Sequence, residues 1–374
     1  MTFEDVLEIK NGKNQRAVEN PKGKYPIYGS GGIMGYANDY ICQAETVIIG
    51  RKGSINKPIF VEVPFWNVDT AFGLEAKREL LLPRYLYYFC LRYDFERLNK
   101  AVTIPSLTKA DLLKIQIELP PISRQADVVK RLMSLERVIS LRQQQISILD
   151  ELIKARFVEM FGTLELPVCE FKKDILKNLC YKITDGKHGG CTQEDGTGRY
   201  FVGAREIYDD AVHYETAPQI NIEEFEKDYK RCNVEKGDLL IVNTGATIGK
   251  SAIAIDDRTE HTLLQKSVAL LKVKQSVLHP VFLKFCYIVN DKMYRVESAS
   301  AQPNLLISKI NATEIYVPPM PSQKQFAAFV SQIDKSKSAI QRPLIRQAPG
   351  RQHDKAIFAI LRKMIEIHFL PVMG

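Results

Sequence analysis

Apolar residues recur with heptad spacing over a long stretch in the middle of the chain. They follow steps of four and three residues, with one polar interruption at Arg142. The seam consists of Val128, Leu132, Leu135, Ile139, Ile146, Leu149 and Ile153. No glycine or proline lies between Gln125 and Phe161. This pattern predicts one continuous helix of roughly 55 Å, which must bury its seam against another element.

A second seam begins 198 residues after the first. It comprises Phe326, Val330 and Ile333, each 198 residues after its counterpart, and continues through Lys337 and Ile340. The two seams are natural mates, which predicts that the helices pair as an antiparallel coiled coil. The alternative is two separate helices, each packed on its own domain. The second helix is expected to end near residue 342, because Pro343 follows and an interior proline costs about 3 kcal/mol.

Short apolar runs between glycine-rich turns precede each seam. They are 46–49 and 58–61 in the first copy, and 238–242 and 251–255 in the second. Such runs predict short, mostly antiparallel strands. A helix that begins with proline is expected after them, at Pro83 and at Pro280. The alternating run 115–119 predicts one more strand before the first seam.

The two halves of the chain also match in sequence. Pro120–Gln125 reappears as Pro318–Gln323, Ile48–Lys57 as Ile241–Lys250, and Ile9–Gly12 as Ile183–Gly186. A period this long excludes solenoids and propellers and predicts a pseudo-dimer within one chain. The expected fold class is α+β, with two β-rich α/β domains separated by long helices. The predicted segments are a first domain at 1–121, a helix at 122–162, a second domain at 163–319, a shortened helix at 320–342 and a divergent tail at 343–374.

Charge and cysteine content narrow the class of protein. The 52 Lys and Arg residues against 44 Asp and Glu give a net charge of +8, which fits a polyanionic partner but also a solvated surface. The seven cysteines contain no C-x-x-C pair, which is typical of reduced thiols. No secretory signal and no run of 18 apolar residues is present. The sequence therefore predicts a cytoplasmic protein without a membrane partner.

Motifs for catalysis or cofactors are incomplete. Gly245–Ser251 is one residue short of a P-loop, and Gly29–Gly35 misses the dinucleotide-binding pattern by one position. His188 and Cys191 form an isolated H-x-x-C without a second ligand pair, so no metal site is predicted. No nucleophile–base–acid set is visible. We expect neither a cofactor nor an enzymatic activity in this chain.

Polar and basic residues recur at matching turns of both copies. Lys and Arg contact phosphates, whereas Asn and Gln pair with adenine. The candidate DNA-binding residues are Lys22, Lys24, Ser30, Arg51, Lys52 and Lys57 in the first copy, and Lys187, His188, Thr244, Lys250, Gln302 and Asn304 in the second. Solvated loop charge explains any single one of them better than a base contact does. Their recurrence at matching turns favours DNA binding for the set.

Together these features resemble the specificity subunit of type I restriction–modification systems. The resemblance covers about residues 1–341 and rests on Tyr25–Gly32, the hairpins at 45–60 and 238–255, and the Pro-Pro-x-x-x-Gln junctions. It implies that each β-rich domain reads one half-site of double-stranded DNA and that the helices form a spacer. It also implies two docked DNA methyltransferase subunits, which carry S-adenosylmethionine, and a restriction translocase that joins them.

The tail departs from this family pattern, in which the second helix runs its full length. Its loss affects the second methyltransferase docking face, and the amphipathic stretch Asp354–His368 is expected to fold back or to self-associate. Two alternative interpretations stay open. In the first, the chain is a stand-alone pseudo-dimeric scaffold for protein partners; in the second, it is a silent specificity cassette that does not read DNA.

Overall fold

The computed structural model describes residues 1–99, 106–294 and 304–345, with side chains described as far as Gln341. The chain divides into two compact units. Unit 1 comprises residues 1–143 together with the described residues from 341 onward, and unit 2 comprises residues 144–340. None of the helices in the described ranges combines the length and apolar character that a membrane crossing requires.

Unit 1 is built on a four-stranded antiparallel sheet with the order β1-β7-β4-β5 and a smaller sheet with the order β3-β2-β6. Its strands are β1 (Leu7–Asn11), β2 (Tyr25–Gly29), β3 (Gly32–Ala37), β4 (Thr46–Gly50), β5 (Ile59–Val61), β6 (Trp66–Asn67) and β7 (Ala71–Ala76). Its helices are α1 (Phe3–Val6), α2 (Pro83–Arg92), a 3-10 turn (Phe95–Leu98), α3 (Lys109–Leu113) and the start of α4 (Ile122–Phe161).

The core of unit 1 lies between its four-stranded sheet and its helices. β4 is buried along its whole length, because Val47 and Ile49 face the helices while Ile48 faces a second cluster on the other side. The first half of the α4 seam packs into the helix side of this core through Val128, Leu132 and Ile139, with Leu135 partly buried beside them. This half of the seam is therefore covered by its own unit.

Unit 2 repeats the frame of unit 1 with additional elements. Its four-stranded antiparallel sheet has the order β9-β16-β13-β14. The strands are β8 (Lys172–Ile175), β9 (Cys180–Asp185), β10 (Tyr200–Val202), β11 (Ile207–Tyr208), β12 (Ala211–Val212), β13 (Leu239–Val242), β14 (Ser251–Ile253), β15 (Thr262–Leu264), β16 (Val268–Val273) and β17 (Glu314–Val317). The helices are α5 (Leu176–Leu179), α6 (Ile222–Tyr229), α7 (Pro280–Val289), α8 (Ile307–Ala312) and α9 (Met320–Ile345), with 3-10 turns at Asp257–His261 and Asp291–Met293.

Corresponding strands of the two units pair in the same way. β1, β7, β4 and β5 correspond to β9, β16, β13 and β14, so the two large sheets have the same strand order. In both units a parallel pair lies beside this sheet, formed by β2 with β6 and by β10 with β15. The sequence repeat is therefore also a structural repeat, and the additional elements of unit 2 include α6 and the 3-10 turn Asp257–His261.

Within unit 2, the second half of α4 packs against α9. Phe157 and Phe326 have ring centroids 5.3 Å apart, and Ile153 and Val330 lie in the same buried cluster. Farther along, Lys337 Nζ lies 2.5 Å from Asp150 Oδ1. Residues later in α4 therefore contact residues earlier in α9, so these two segments run antiparallel.

The remaining seam positions are less enclosed. Ile146 is buried, Leu149 is half-buried, and Ile333 packs partly against the unit 2 core. The starts of both seams are covered by their own units, as the alternative of separately packed helices anticipates for those parts. A coiled coil along the full length of both helices stays a prediction.

A buried glutamine joins each unit to its long helix. Gln125 accepts a hydrogen bond from Leu82 N at 2.9 Å and donates to the carbonyls of Leu80 and Pro120, both at 2.9 Å. Gln323 repeats the set with His279 N, Val277 O and Pro318 O at 2.8–3.0 Å. Both side chains are fully buried. The glutamine of the Pro-Pro-x-x-x-Gln junction therefore fixes the start of one helix against another.

The predicted strand at 115–119 is wrong. This segment forms one bridge, between Gln116 and Thr2, and hydrogen bonds from Ile117 N to Met1 O and from Phe3 N to Ile115 O. Its partner is short because α1 begins at Phe3. In unit 2 the equivalent segment has a full partner, and β17 pairs with β8 over four residues.

The second long helix also differs from its predicted bounds. α9 passes Pro343 and continues to Ile345, three residues beyond the expected end at 342. Pro349, Gly350 and the stretch Asp354–His368 lie outside the described residues, so the predicted fold-back or self-association of the tail stays a prediction.

Candidate nucleic-acid interface

One edge of the large sheet gathers matching loops in both units. In unit 1, Asn11 at the end of β1 pairs with Phe72, and Gly50 at the end of β4 pairs with Ala71. The loops that follow β1 and β4 and the turn before β7 therefore meet at this edge. In unit 2 the pairs Asp185–Ala269 and Val242–Val268 place the equivalent loops together. We call these places the loop edges of units 1 and 2.

Backbone hydrogen bonds hold the loop edge of unit 1 together. Arg51 N donates to Thr70 O at 2.7 Å, and Leu107 N donates to Arg51 O at 2.9 Å. A Cβ placed on Gly50 would lie 3.1 Å from Ser30 Cβ, so the β2–β3 turn touches the end of β4. Four separate segments of the chain thus converge around Arg51.

The loop edge of unit 2 has the same construction. Asn243 N donates to Ser267 O at 3.0 Å, and Ala204 N donates to Ser267 Oγ at 3.2 Å. Leu305 N donates to Asn243 O at 2.7 Å, which is the counterpart of the bond between Leu107 and Arg51. Thr244 and Asn304 form an isolated bridge, as Lys52 and Ser106 do in unit 1.

A glycine permits the close crossing of backbones at each loop edge. A Cβ on Gly12 would lie 1.8 Å from Val68 O, and a Cβ on Gly186 would lie 2.2 Å from Leu264 O. Real Cβ atoms do not approach a carbonyl this closely, so no larger residue fits without a shift of the backbone. The recurrence of Gly12 as Gly186 in the sequence therefore has a steric cause.

Arg51, Lys52 and Lys57 lie exposed on the loop after β4. Within the described parts of the chain, none of the three has a carboxylate partner. The Arg51 guanidinium carbon lies 5.8 Å from the centre of the Phe72 ring, which supports the stem of the side chain. These three cations are accessible to an anionic ligand, and their contact with DNA stays a prediction. Ser30 is half-buried beside them.

Lys22 and Lys24 lie at the other end of β2 from Ser30. Both are exposed, and Lys24 Nζ lies 5.5 Å from the Tyr25 ring centre. Six steps of about 3.3 Å along the strand separate Lys24 from Ser30 by roughly 20 Å. The structure therefore does not gather all six unit 1 candidates in one cluster.

Lys187 has its charge neutralised within the protein. Its Nζ lies 2.6 Å from Asp228 Oδ2 and 3.5 Å from Glu224 Oε2. The hydrogen bond to Asp228 raises the pKa of Lys187 above its usual value. These carboxylates come from α6, which belongs to the additional elements of unit 2. Lys187 is therefore less suited to phosphate contact than the sequence suggests.

His188 is exposed but also has an acidic partner. Its Nε2 lies 3.1 Å from Asp185 Oδ2, and Arg231 holds the other oxygen of the same carboxylate at 2.5 Å. Asp185 is thus shared between two basic side chains. His188 keeps a solvent-facing ring that remains open to a ligand.

Lys250, Thr244 and Asn304 lie together on the loop edge of unit 2. Lys250 is exposed, and Thr244 Oγ1 donates to Asn304 Oδ1 at 3.2 Å. Asn304 is exposed, so its amide nitrogen is accessible to a ligand. Gln302 lies outside the described residues.

Two exposed cations of this edge were missed in the sequence. Arg205 lies in the turn after β10, and Lys266 lies in the turn between β15 and β16. The 174-residue offset that relates Gly12 to Gly186 also relates Gly31 to Arg205, so the repeat position of Arg205 holds a glycine and gave no signal for a cation. The position equivalent to Lys266 in unit 1 is occupied by Asp69, so the two units carry opposite charges there. Loop length differs around both residues, which hid the match.

No group of three or more His, Cys, Asp or Glu side chains in the described residues is arranged to hold a metal ion. The seven cysteines are all free, and burial raises the pKa of Cys42 and Cys180 to about 12. Buried thiols of this kind are poor nucleophiles at neutral pH. What the loop edges offer a ligand is cations and amides.

A comparison with protein families decides the assignment. The model of the type I restriction modification DNA specificity domain matches residues 1–150 and 185–348. The chain belongs to this family. The two matched stretches follow the two structural units, so the specificity domain occurs twice, and the expected α+β class with two related β-rich units is confirmed.

Individual relatives of the specificity family agree. The chain is 31% identical over 144 residues to a putative type I restriction enzyme specificity subunit of Haemophilus influenzae, covering 37% of each protein. It is 22% identical over 294 residues to the EcoBI specificity subunit of Escherichia coli, covering 70% of this chain and 60% of that protein. The matches thus span less than two thirds of these relatives. Their names denote specificity subunits, in agreement with a chain that is not itself an enzyme.

Solved structures show the same specificity-subunit fold. The S subunit of a type I restriction–modification system from M. genitalium has a TM-score of 0.59 at 16% identity, covering 100% of this chain and 96% of its own. A structure described as the basis of complex assembly and conformational transition of the type I system has a TM-score of 0.54, also at 16% identity, covering 98% and 95%. At this identity the likeness concerns the fold alone.

Proposed function

We propose that this chain is the DNA-reading subunit of a type I restriction–modification complex and that each loop edge reads one half of a bipartite target. The observation that carries the proposal is the repeated loop edge. Matching loops converge in both units, yet their exposed side chains differ, with Arg51 and Lys52 in one and Arg205 and Lys266 in the other. Two unlike readers in one chain suit a target with two unlike halves.

The proposal includes partners that carry the chemistry. Methyl transfer belongs to two DNA methyltransferase subunits that hold S-adenosylmethionine, and a restriction subunit joins them, while this chain needs no cofactor of its own. The free thiols in the described structure fit the reducing cytoplasm in which such a complex meets DNA.

Docking of a methyltransferase subunit has a candidate surface on α4. Ile148 and Leu152 are 65% and 44% exposed, and they lie one turn apart on a face distinct from the buried seam at Ile146 and Ile153. Exposed apolar side chains grouped on one helix face mark protein interfaces. We expect the double change I148E/L152E to abolish methyltransferase recovery in a pull-down. The change Ser147→Glu, which adds charge at an exposed position on another side of α4, should leave recovery intact.

DNA binding is tested by removing cations from one loop edge at a time. The unit 1 variant carries R51A, K52A and K57A, and the unit 2 variant carries R205A, K250A and K266A. Each lost phosphate contact lowers the salt slope of binding by about 0.9. We expect both variants to bind random duplex DNA more weakly in fluorescence anisotropy, with a reduced slope. The control is K172A/K177A, which removes two exposed lysines from β8 and α5.

Sequence reading is tested in cells that express the chain with its methyltransferase. Mapping of methylated bases should show a motif of two defined halves separated by a fixed gap. Methylation of a continuous motif, or unchanged DNA affinity in both triple-alanine variants at low salt, would refute the proposal. Recovery of partners without any DNA affinity would instead identify a protein scaffold.

A further inference from the structure

The β2–β3 hairpin of unit 1 presents apolar side chains to solvent. Ile33 and Met34 are 57% and 61% exposed, and Tyr36 is 45% exposed. All three lie on β3, the outer strand of the three-stranded sheet β3-β2-β6. Neighbouring apolar residues this open on an edge strand are a liability unless they meet a partner.

A β-bulge produces this presentation. The pairs Ile27–Gly35 and Tyr28–Ile33 leave Met34 without a residue opposite, so the register shifts at this point. Strict alternation would turn one of two successive side chains inward, whereas the bulge leaves both Ile33 and Met34 outward. Bulges of this kind re-aim side chains at binding sites.

Glycines shape the hairpin around these side chains. A Cβ on Gly29 would lie 2.6 Å from Met34 Sδ, so Gly29 makes room for the methionine side chain. Around Gly31 and Gly32 no atom comes within 4 Å of such a Cβ, so the tip is narrow and open. Because β6 pairs with β2 only at Ile27 and Tyr28, the hairpin is two-stranded beyond Tyr28. This tip without bulk, together with the outer strand β3, fits the major groove, which is about 12 Å wide.

Basic residues lie at both ends of the ribbon. Lys22 and Lys24 precede β2, while Ser30 at the tip touches the loop edge that carries Arg51 and Lys52. The separation of roughly 20 Å along β2 suits a ribbon that spans a groove and meets phosphates on both sides. An apolar centre flanked by cations favours DNA over a protein partner.

We infer that this hairpin enters the major groove and that Ile33 and Met34 contact the 5-methyl group of a thymine in the half-site read by unit 1. Thymine alone presents a methyl group in the major groove, and apolar side chains read it. The inference rests on the proposed function and adds the base that is read. In unit 2 the matching turn has Arg205 in place of Gly31, so a hydrogen-bond donor stands where unit 1 has none.

The test uses uracil, which lacks the methyl group but keeps the base-pairing edge of thymine. Once the methylated motif is known, each thymine of the duplex is replaced by uracil in turn and affinity is measured by competition anisotropy. For the unchanged protein we expect a loss of about fourfold at one or more thymines of one half-site, the effect of removing one buried methyl group. The variant I33A/M34A should bind both duplexes equally.

The control is Val63→Ala, another exposed apolar residue of unit 1, which should discriminate uracil as the unchanged protein does. Circular dichroism should show I33A/M34A folded, because both side chains are exposed. If no thymine is sensitive, or if I33A/M34A still discriminates, the inference is wrong. It is also wrong if that variant keeps its DNA preference but loses a protein subunit. Absence of any specific DNA binding by the unchanged protein would instead overturn the proposed function.

Discussion

The two units share a frame and differ in what the frame displays. The shared parts are the four-stranded sheets with one strand order, the buried glutamines Gln125 and Gln323, and the close-crossing glycines Gly12 and Gly186. All of these act through backbone atoms or through the lack of a side chain. The loop edges differ in length and charge. The comparison shows that backbone geometry can recur while the surface chemistry above it changes.

The largest effect is expected where unit 2 holds the end of α4. Phe157 is fully buried, with ring contacts to Phe161, Phe282 and Phe326 at 5.2–5.4 Å. Phe157→Ala should lower the stability of unit 2 by about 3–5 kcal/mol through the cavity it leaves. Hydrogen exchange should report lost protection in unit 2, with unit 1 unchanged.

The neighbouring Val158 is 41% exposed and provides the matched control, since Val158→Ala should change protection little. Equal loss of protection in both units after Phe157→Ala would show that the two do not unfold independently.

The glutamine junctions should respond alike. Gln125→Met and Gln323→Met keep the volume but leave one buried amide and two carbonyls without their partners, which costs about 2–3 kcal/mol. Each change should lower the protection of backbone amides from hydrogen exchange in its own unit only. Gln145→Met, at an exposed position of α4, is the control. A large cost at one junction and none at the other would break the equivalence of the two frames.

Substitution of either close-crossing glycine, Gly12 or Gly186, should lower the free energy of unfolding by about 1–2 kcal/mol. Gly12→Ala and Gly186→Ala force the Cβ into a backbone carbonyl, so thermal unfolding should shift downward in both variants. Gly31→Ala places its Cβ in open space and should unfold at the original temperature. Tolerance of alanine at either crossing would mean that the loop edge adjusts by moving its backbone.

The smallest effect concerns acid stability and an element found only in unit 2. The 3-10 helix Asp257–His261 has no counterpart between β5 and β6 of unit 1, a stretch the structure describes in full. The hydrogen bond with Arg258 lowers the pKa of Asp256 to about 2. A lowered pKa in the folded state stabilises above the ordinary value of about 3.9, and this contribution disappears as pH falls towards 2.

Asp256→Asn should therefore reduce stability at pH 5 and flatten its decline between pH 4 and pH 2. The effect should stay below about 1 kcal/mol, because about a third of both side chains is exposed and water screens the pair. Melting temperatures across this pH range provide the measurement. A parallel decline in both proteins would show that other carboxylates control acid unfolding of unit 2.

Periodicity and repetition were enough to predict the frame. The heptad seam required one long helix, and α4 spans Ile122–Phe161. The glycine-bounded apolar runs became β4, β5, β13 and β14 because their side chains fill a core on both faces. The run at 115–119 failed because pairing depends on a partner strand, and alternation within one segment carries no information about its partner.

The loop edge was only partly predictable, because charge in a sequence does not reveal its partner. Arg51, Lys52 and Lys250 are exposed on matching loops. Lys187 looked equivalent to them, yet Asp228 on a helix 41 residues away neutralises it. Arg205 was hidden because glycine stands at its repeat position. Contacts between distant segments decide such cases, and they appear only in the folded chain.

The glutamine junction has a consequence for how such proteins can diversify. Gln125 and Gln323 bond to backbone amides and carbonyls of the preceding segment, so the junction imposes no requirement on the identity of the side chains there. A foreign reader domain with the same backbone path would find its attachment already complementary. Genetic exchange at the Pro-Pro-x-x-x-Gln boundaries would therefore preserve the hydrogen bonds of the junction, and only the apolar contacts of the helix with the core, such as those of Val128, Leu132 and Ile139, would have to match the incoming domain.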